Sequence, residues 1–580
     1  MKKRFFALAA LLVLLSGVMF ASCSNGKTNA GVADNVTDPF HKYSSTLTMN
    51  VGQWVSSETN YPAGQTPGDN DMYDLIEKYT NIDLNASVTV PYGTEFYDKI
   101  ANLQLTDDLP DMTAMDQNTF ASAVEAGQLA DLTDAYEKLA SPTLKRIMSY
   151  QDDLLLNLGK VNGRLYALPE ISSPMDGVPV MWIREDWIDI VGWTNSQGGK
   201  KPLTYAEFED LAYTFKEHKA EIEEATGVNG CYSIGFYQDL SIPYYAIMNA
   251  HGAYPEIYVE GTDRAYEYGS LQDEMIDGLT TLSKYHGDGL FLADWATQTT
   301  NTVMQHCASG RVGIMIDVFY GPLSTALSGV MGLKFNGNAK LQNANWIAVP
   351  MYSAVEGEDF VPTTIIAPRN YYAMNVNYPN PEALIIMMNY MVEEYNTEGT
   401  AENGQGRYFP FTQEFKTLSH QDDLVARTIS NWLPFMMYDP EINIEYTENI
   451  CACLEGDITY EDLNIEEQYF YDMITEEIEN TPANATKLTT QWSYEYVYGP
   501  EGGIQAYMQY NNRYVYDAYL DVPTPAMQLY ENIALNGERT DVTDAITTLV
   551  SRDQIASKFN TLKSHWLDNG GEDILEEINS

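Results

Sequence analysis

The hydrophobic pattern of the chain switches between strand and helix periods over its first third. Residues 46–51 and 82–90 alternate between hydrophobic and polar side chains, as a half-buried strand does, whereas residues 71–79 carry hydrophobic side chains at helical spacing. A helix over residues 95–105 and a short strand over residues 109–115 continue the series. Strands that alternate with helices predict βαβ units, and therefore an α/β fold with a mostly parallel sheet.

The same alternation continues in the middle of the chain. Residues 180–183 and 312–316 are predicted strands, and residues 205–218 are a predicted helix that Thr204 opens as its N-cap. A further helix is predicted over residues 275–286. The last third is richer in helical pattern, at residues 382–394, 541–549 and 553–567.

The length of the chain and the positions of its prolines and glycines predict two lobes. A chain of 580 residues is too long for one ordinary hydrophobic core. Prolines and glycines cluster at residues 169–179, and prolines recur through residues 349–368, so both segments are candidate crossings between lobes. The expected first lobe is residues 46–170 plus about 362–430, and the second is about 180–350 plus about 431–580.

The N-terminus has the pattern of an export signal. Three basic residues precede an unbroken apolar run at residues 5–15, and small residues follow before Cys23. This run is too short to span a bilayer, so residues 1–22 are predicted to be a secretory signal peptide. Residues 20–23 (FASC) resemble the lipobox of bacterial lipoproteins, with Phe20 in place of the usual aliphatic residue. That resemblance implies that Cys23 is acylated, for example with palmitate, and that residues 23–45 form a polar, lipid-anchored tether.

The charge balance excludes one class of partner. With 82 acidic and 32 basic residues, the formal net charge is −50, which would repel a phosphate backbone and argues against nucleic-acid binding. A hydrophobic content of 44% excludes wholesale disorder. The chain has 42 tyrosines, an excess of aromatic rings with a hydroxyl group that suits a polar, stackable ligand.

Motifs for catalysis and for metal binding are missing from the sequence. It has no Walker loop, no GxGxxG that opens a helix, no HExxH and no GxSxG, and its seven histidines never lie four residues apart. The remaining cysteines are too few for a disulfide scaffold and are expected to be buried or idle thiols, at positions Cys231, Cys307, Cys451 and Cys453. We therefore expect no enzyme, no cofactor and no metal. An extracellular glycan-degrading enzyme remains the alternative, since carboxylate pairs occur by chance among so many acidic residues.

Residues 161–193 resemble the signature of extracellular solute-binding lipoproteins of ABC importers. The matching stretches are GRLYALP at residues 163–169 and REDWI at residues 184–188. One further family element precedes this stretch, at residues 109–112, and three follow it in order, at residues 202–215, 309–317 and 380–391. This is the carbohydrate-associated, family 1 type, related to maltodextrin- and alginate-oligosaccharide-binding proteins. Many relatives carry an Asp/Asn-rich calcium loop in the interval that is here residues 216–236, which lacks such ligands.

The resemblance implies a fold and a role. The fold is the type II periplasmic-binding-protein-like fold, in which each lobe is a mostly parallel sheet flanked by helices and the ligand cleft lies between the lobes. The role is capture of an oligosaccharide at the outer face of the cell membrane and delivery to an ABC transporter permease, by a monomer that the lipid anchor holds to the membrane. A non-sugar solute, such as a peptide or a small organic molecule, is the alternative ligand.

Candidate ligand-binding residues follow from this architecture. Ligands of α/β lobes sit at the carboxyl ends of strands, where aromatic rings can stack on sugars and polar groups can bind hydroxyls. The candidates at or just after predicted strands are Trp54, Asp116, Gln117, Glu170, Arg184, Tyr237, Asp317, Phe319, Tyr320 and Trp346, with Phe236, Gln238, Tyr371 and Trp432 as additions. By resemblance, Tyr237 and Phe319/Tyr320 match sugar-stacking positions and Asp116 a hydroxyl-binding one. Arg184 is either a salt bridge within one lobe or a donor in the cleft.

Overall fold

The computed structural model describes most of the chain. The described residues are 36–55, 61–91, 93–171, 173–261, 264–364, 368–396, 409–419, 432–511, 513–520 and 523–580. The predicted signal peptide and Cys23 lie outside them. None of the helices in these ranges combines the length and the apolar character that crossing a bilayer requires.

The described elements alternate between strand and helix, as the hydrophobic pattern predicts. The strands are β1 (Leu47–Val55), β2 (Ile82–Pro91), β3 (Met112–Met115), β4 (Lys160–Val161), β5 (Arg164–Leu165), β6 (Ala167–Ile171), β7 (Pro179–Arg184), β8 (Tyr232–Ile234), β9 (Tyr258–Glu260), β10 (Tyr266–Tyr268), β11 (Val312–Val318), β12 (Trp346–Pro350) and β13 (Pro368–Met374). The helices of the first half are α1 (Asp71–Thr80), α2 (Thr94–Leu105), α3 (Gln117–Glu125), α4 (Thr133–Leu139), α5 (Pro142–Met148), α6 (Tyr150–Leu158), α7 (Glu185–Val191), α8 (Tyr205–Glu217), α9 (Lys219–Thr226), α10 (Ile242–Ala250) and α11 (Met275–Asp288). Those of the second half are α12 (Thr300–Ala308), α13 (Thr325–Gly332), α14 (Ala383–Val392), α15 (Pro410–Ser419), α16 (Ile442–Glu455), α17 (Ile465–Thr475), α18 (Ala485–Tyr498), α19 (Gly503–Met508), α20 (Pro525–Thr548), α21 (Arg552–Trp566) and α22 (Glu572–Ile578).

Two sheets form the centres of two lobes. The first sheet has the strand order β2-β1-β3-β13-β6, and the second has the order β12-β7-β11-β8. In the first sheet only β13 runs against the others, and in the second only β7 does. The fold is therefore the expected two-lobe α/β fold, but its sheets are mixed, because each reversed strand forms antiparallel pairs with both of its neighbours.

The reversed strands have a physical cause. β7 is the first strand after the chain leaves the first sheet, and β13 is the first strand after it leaves the second. The chain enters each lobe at the edge where the other strands end, because β6 and β12 end there. An entering strand must therefore run in the opposite direction. Hydrophobic alternation carries no information on strand direction, so the sequence pattern did not predict these reversals.

Three chain passages join the lobes side by side. The first is the turn Pro174–Gly177 between β6 and β7, and the second connects β12 to β13, with residues 351–364 described. The Thr364 hydroxyl of the second passage donates to the Pro174 carbonyl of the first. The Ser173 hydroxyl donates to the Pro440 carbonyl at 2.8 Å, which marks a third passage.

The third passage lies beyond the predicted boundary at residue 431. Trp432 stacks on Tyr61, and the Met436 backbone N–H donates to the Tyr372 hydroxyl at 3.0 Å. Residues 432–436 therefore contact the first sheet, and the chain leaves this lobe near Pro440. The predicted helix over residues 541–549 is likewise the end of a longer helix, α20, which begins at Pro525 with Thr524 as its cap.

Local signals set the ends of several helices. Thr204 caps α8 as predicted, because its hydroxyl accepts from the Glu207 backbone N–H. Asn70 caps α1 in the same way. α3 begins at Gln117 because the Asp116 carboxylate caps it. α14 is buried along its whole length, which agrees with its lack of a polar face.

Candidate ligand-binding cleft

The carboxyl ends of the two sheets face one another. The first passage joins the end of β6 to the start of β7, and the second joins the end of β12 to the start of β13. Because both links are at strand ends, they hold these edges of the two sheets close together, and the junction between these edges is called the cleft below. Backbone groups and helix N-termini converge at such edges, where ligands of α/β proteins bind.

Two predicted residues on the first lobe lie at this edge. Asp116 directly follows β3 and is half-buried, and its Oδ1 accepts from the Thr119 backbone N–H at 2.7 Å. The N-cap hydrogen bond uses one carboxylate oxygen, Oδ1. Gln117 is also half-buried, and its Nε2 donates to the Leu520 carbonyl at 2.9 Å.

Tyr320 is the predicted aromatic platform that reaches the surface. It follows β11 on the second lobe, and 38% of it is exposed. Its neighbour Phe319 is 3% exposed and meets the Tyr320 ring edge-on, with the ring centres 5.0 Å apart. Phe319 therefore supports the ring from below, and Tyr320 alone of this pair presents a ring to a ligand.

Asp317 lies beneath Tyr320 at the end of β11. It is almost fully buried, and burial raises its pKa to about 6 although its Oδ1 accepts from the Val318 backbone N–H at 2.8 Å. An added Cβ at Gly321 would lie 3.3 Å from the second carboxylate oxygen, Oδ2. This close approach keeps the Asp317 carboxyl packed under the turn that carries Tyr320.

The sequence reasoning missed two charged residues of this region, Asp176 and Arg369. Asp176 lies in the first passage, and burial raises its pKa to about 6 while the nearby Arg369 guanidinium lowers it. The pKa of Tyr320 is raised to about 12, first by burial and then by the charges of Asp176 and Asp317. Asp176 is therefore within electrostatic reach of both Arg369 on the first lobe and Tyr320 on the second. The sequence signal that could have found Asp176 is its position between the prolines of the predicted crossing at residues 169–179.

The structure does not bring Trp54, Tyr237 and Trp346 to the cleft surface. Trp54 lies within β1 instead of after it, and its ring meets Phe96 edge-on at 5.6 Å. Tyr237 is 3% exposed, and its hydroxyl accepts from Ser241 at 3.3 Å. Trp346 is buried, with Nε1 donating to a backbone carbonyl at 3.2 Å. An aromatic next to a strand end has the same sequence pattern whether it packs inward or faces a cleft.

Glu170 and Arg184 also have partners within their own lobes. Glu170 is buried and accepts from Asn370 Nδ2 at 2.7 Å and from the Tyr372 hydroxyl at 2.9 Å. Arg184 is completely buried and forms a two-pronged ion pair with Asp186, at 2.7 and 2.6 Å. Of the two roles considered for Arg184, the structure shows the salt bridge within one lobe.

The additional aromatic candidates are packed too. Phe236 stacks on Phe291 with ring centres 4.7 Å apart, and Tyr371 stacks on Phe120 at 4.6 Å. Trp432 is buried on the first lobe, whereas Gln238 is exposed. The four described cysteines are all free and buried.

The interval of residues 216–236 is closed by protein groups. Within it, one Glu223 carboxylate oxygen accepts from the backbone N–H groups of Gly230 and Cys231, at 2.7 and 2.9 Å. Arg311 Nε donates to the Gly230 carbonyl at 3.1 Å. Among the described residues, no group of three or more His, Cys, Asp or Glu side chains is arranged to hold a metal ion.

Two sheets joined at their strand ends give this chain the two-lobe α/β architecture. The chain belongs to the family of bacterial extracellular solute-binding proteins, whose family model matches residues 74–427. This family consists of binding proteins, and its signature at residues 161–193 lies within the match.

Solved structures share the fold. An extracellular solute-binding protein from Bifidobacterium longum subsp. infantis is 14% identical, with a TM-score of 0.55 over 93% of this chain and 98% of that one. An HMO-binding, ABC-transporter-associated solute-binding protein from Bifidobacterium longum infantis gives the same identity and TM-score over 93% and 99%. The S. pneumoniae ABC-transporter substrate-binding protein FusA, in complex with kestose, is 14% identical with a TM-score of 0.50, over 92% and 98%.

Proposed function

We propose that the chain is the receptor of an ABC importer, which captures a neutral oligosaccharide between its lobes and delivers it to a permease without changing it chemically. The observation that supports this most directly is the exposed ring of Tyr320 beside the carboxyl groups of Asp176 and Asp317. An aromatic ring stacks on the C–H face of a sugar, and carboxylates accept from its hydroxyl groups. Family membership and the sugar ligands named for two structural neighbours support the same class of ligand.

The charges of the cleft favour a neutral ligand. Asp116 and Asp176 contribute two half-buried carboxyl groups at the cleft, Asp317 lies buried beneath Tyr320, and Arg369 lies near Asp176. A uronate-rich chain would bring further carboxylates against them, and like charges repel. A hydroxyl-rich neutral sugar avoids this repulsion and still offers donors to the carboxylates.

The location and the partners complete the proposal. Acylation at Cys23 would hold the protein at the outer face of the cell membrane, within reach of a permease. The ligand is handed over when the lobes open, which is the hinge motion of two-lobe receptors. The receptor acts as a monomer and needs no cofactor.

A thermal-shift screen of the mature protein against oligosaccharides and peptides identifies the ligand. A ligand at about 100 times its Kd adds roughly 2.7 kcal/mol of stability, which is a large shift. Stabilisation by peptides alone would replace the sugar proposal with the alternative solute. Cleavage of the sugar by the purified protein would contradict the receptor role.

Calorimetry on Tyr320→Ala tests the site itself. We expect binding to weaken by about 1–3 kcal/mol through lost apolar contact, with no change in melting temperature. Tyr460→Ala is the matched control, because Tyr460 is 36% exposed and bonds Asp472, outside the cleft. Tyr237→Ala should instead lower the melting temperature, because that ring is buried. If Tyr320→Ala binds the ligand with wild-type affinity, the ligand does not bind against the Tyr320 ring and the proposed site is wrong.

A further inference from the structure

Three tyrosine hydroxyl groups form a chain between the lobes. Tyr150 begins α6 on the first lobe, and its hydroxyl lies 3.0 Å from the hydroxyl of Tyr514. The Tyr514 hydroxyl also bonds the hydroxyl of Tyr507, a buried residue of α19 on the second lobe. The chain Tyr507–Tyr514–Tyr150 therefore links helices of opposite lobes through side-chain hydroxyls alone.

The segment that carries Tyr514 is held to the second lobe and to the hinge. The Val515 backbone N–H donates to the Pro362 carbonyl at 2.9 Å, and Thr364 N–H donates to the Val515 carbonyl at 2.8 Å. The Ala518 N–H donates to the Tyr258 carbonyl on β9 at 2.8 Å. Tyr514 is thus anchored to the hinge and to the second lobe, and its bond to Tyr150 spans the junction with the first lobe.

The backbone after Tyr150 is in an unfavourable conformation. Gln151, Asp152 and Asp153 have φ values of 52°, 57° and 65°, three consecutive non-glycine residues in the left-handed region. Each such residue has a cost in free energy for an L-amino acid, and the surrounding structure must hold it there. All three side chains are exposed, so their own packing does not hold the turn. Tyr150, which is half-buried and bonded across the lobes, is the anchored residue next to it.

We propose that the hydroxyl chain Tyr507–Tyr514–Tyr150 is a cross-lobe clasp that keeps the lobes together before any ligand binds, and that the left-handed turn of residues 151–153 positions Tyr150 for it. These are positioning residues, since they act on the separation of the lobes. Release of Tyr150 lets the turn relax towards the right-handed conformation of α5 before it and of the remainder of α6 after it. The clasp therefore raises the fraction of closed receptor and, with it, the apparent affinity.

Distances between spin labels on the two lobes test the clasp in ligand-free protein. Labels at Lys138 of α4 and Glu224 of α9 are on exposed side chains of opposite lobes. Tyr514→Phe removes the shared hydroxyl and keeps the ring. We expect the ratio of open to closed protein to rise about twofold to tenfold, the factor that corresponds to one neutral hydrogen bond. Tyr460→Phe is the control, because it removes a tyrosine hydroxyl outside the lobe junction.

A pair of backbone variants tests the turn. Glycine adopts the left-handed region without strain, so Asp152→Gly should shift the distances towards the closed form. Asp152→Ala should shift them towards the open form, since alanine tolerates that region less well than aspartate. Unchanged distances in Tyr514→Phe would overturn the clasp, and equal effects of Gly and Ala would overturn the role of the turn. Since no ligand is present, either failure leaves the proposed sugar-binding function standing, and a failed sugar screen leaves these distances unaffected.

Discussion

Burial separates structural residues from ligand candidates at the scale of single side chains. Arg184 shows this most directly, because its guanidinium is fully buried and neutralises Asp186, donates to Gly310 and lies near the rings of Trp187 and Trp346. A buried charge needs a partner, and here the partner is Asp186, two positions further along the chain. The residue belongs to a family signature and yet lies away from the cleft surface.

Arg184→Ala should therefore destabilise the protein and leave binding intact. The substitution leaves the Asp186 carboxylate buried without its partner, so we expect a loss of about 3–5 kcal/mol in the free energy of unfolding. Urea denaturation measures it. The control is Lys200→Ala, whose exposed pair with Asp189 should contribute less than about 1 kcal/mol. If Arg184→Ala keeps its full stability but binds the ligand more weakly, Arg184 is instead a ligand-binding residue.

At the scale of elements, helix α20 depends on a buried acid. Glu538 of α20 accepts from the Tyr268 hydroxyl at 2.8 Å, and burial raises its pKa to about 8 from the usual 4.5, with Glu256 adding to the rise and Arg539 opposing it. Between these two pKa values the folded protein holds a proton that the unfolded chain releases. Its contribution to stability is therefore greatest at low pH and is lost as the pH rises from about 4.5 to about 8.

Glu538→Gln should flatten the fall in stability across that range. We expect the difference in unfolding free energy between wild type and variant to shift in favour of the variant from about pH 5 to about pH 8. Urea denaturation of both proteins at several pH values measures this difference. The other buried acids are the same in the two proteins, so their contributions cancel. A difference that does not change with pH would show that Glu538 is ionised in the folded protein.

The segment between α8 and β8 gives a second prediction at this scale. Glu223 and Arg311 close it with hydrogen bonds to backbone groups, so a chelator should leave the melting temperature unchanged. Glu223→Ala leaves two backbone N–H groups without their acceptor and should cost roughly 1–3 kcal/mol. Thermal denaturation of the wild type with and without chelator checks the first expectation, and thermal denaturation of Glu223→Ala checks the second. A drop with chelator that calcium restores would reveal oxygen ligands from distant segments.

At the scale of the whole molecule, the N-terminal pattern predicts where the receptor works. The mature chain should begin at Cys23 and partition with membranes, because two or more acyl chains bind a bilayer far more stably than one. Cys23→Ala should release the protein to the medium or leave an uncleaved precursor. Fractionation and mass spectrometry of the N-terminus distinguish these outcomes. A processed Cys23→Ala protein that stays on the membrane would contradict the anchor.

The sequence alone determined the class of the molecule. Alternation of strand and helix periods predicted the α/β fold, Thr204 marked the start of α8, and the signature at residues 161–193 indicated the family that the family match confirms. These features are local, because period and capping depend on residues within a few positions of one another. A chain therefore displays them before it folds.

Only the tertiary structure decided which side chains can meet a ligand. Tyr237 and Tyr320 follow strands in the same way, yet one is 3% and the other 38% exposed, because exposure depends on what distant segments pack over each ring. Asp176 and Arg369 are far apart in sequence and come together because separate passages enter the same lobe junction. The direction of β7 and β13 likewise follows from the edge at which the chain enters each lobe. Such pairings arise between segments remote in sequence, and hydrophobic patterning, which acts over neighbouring residues, cannot specify them.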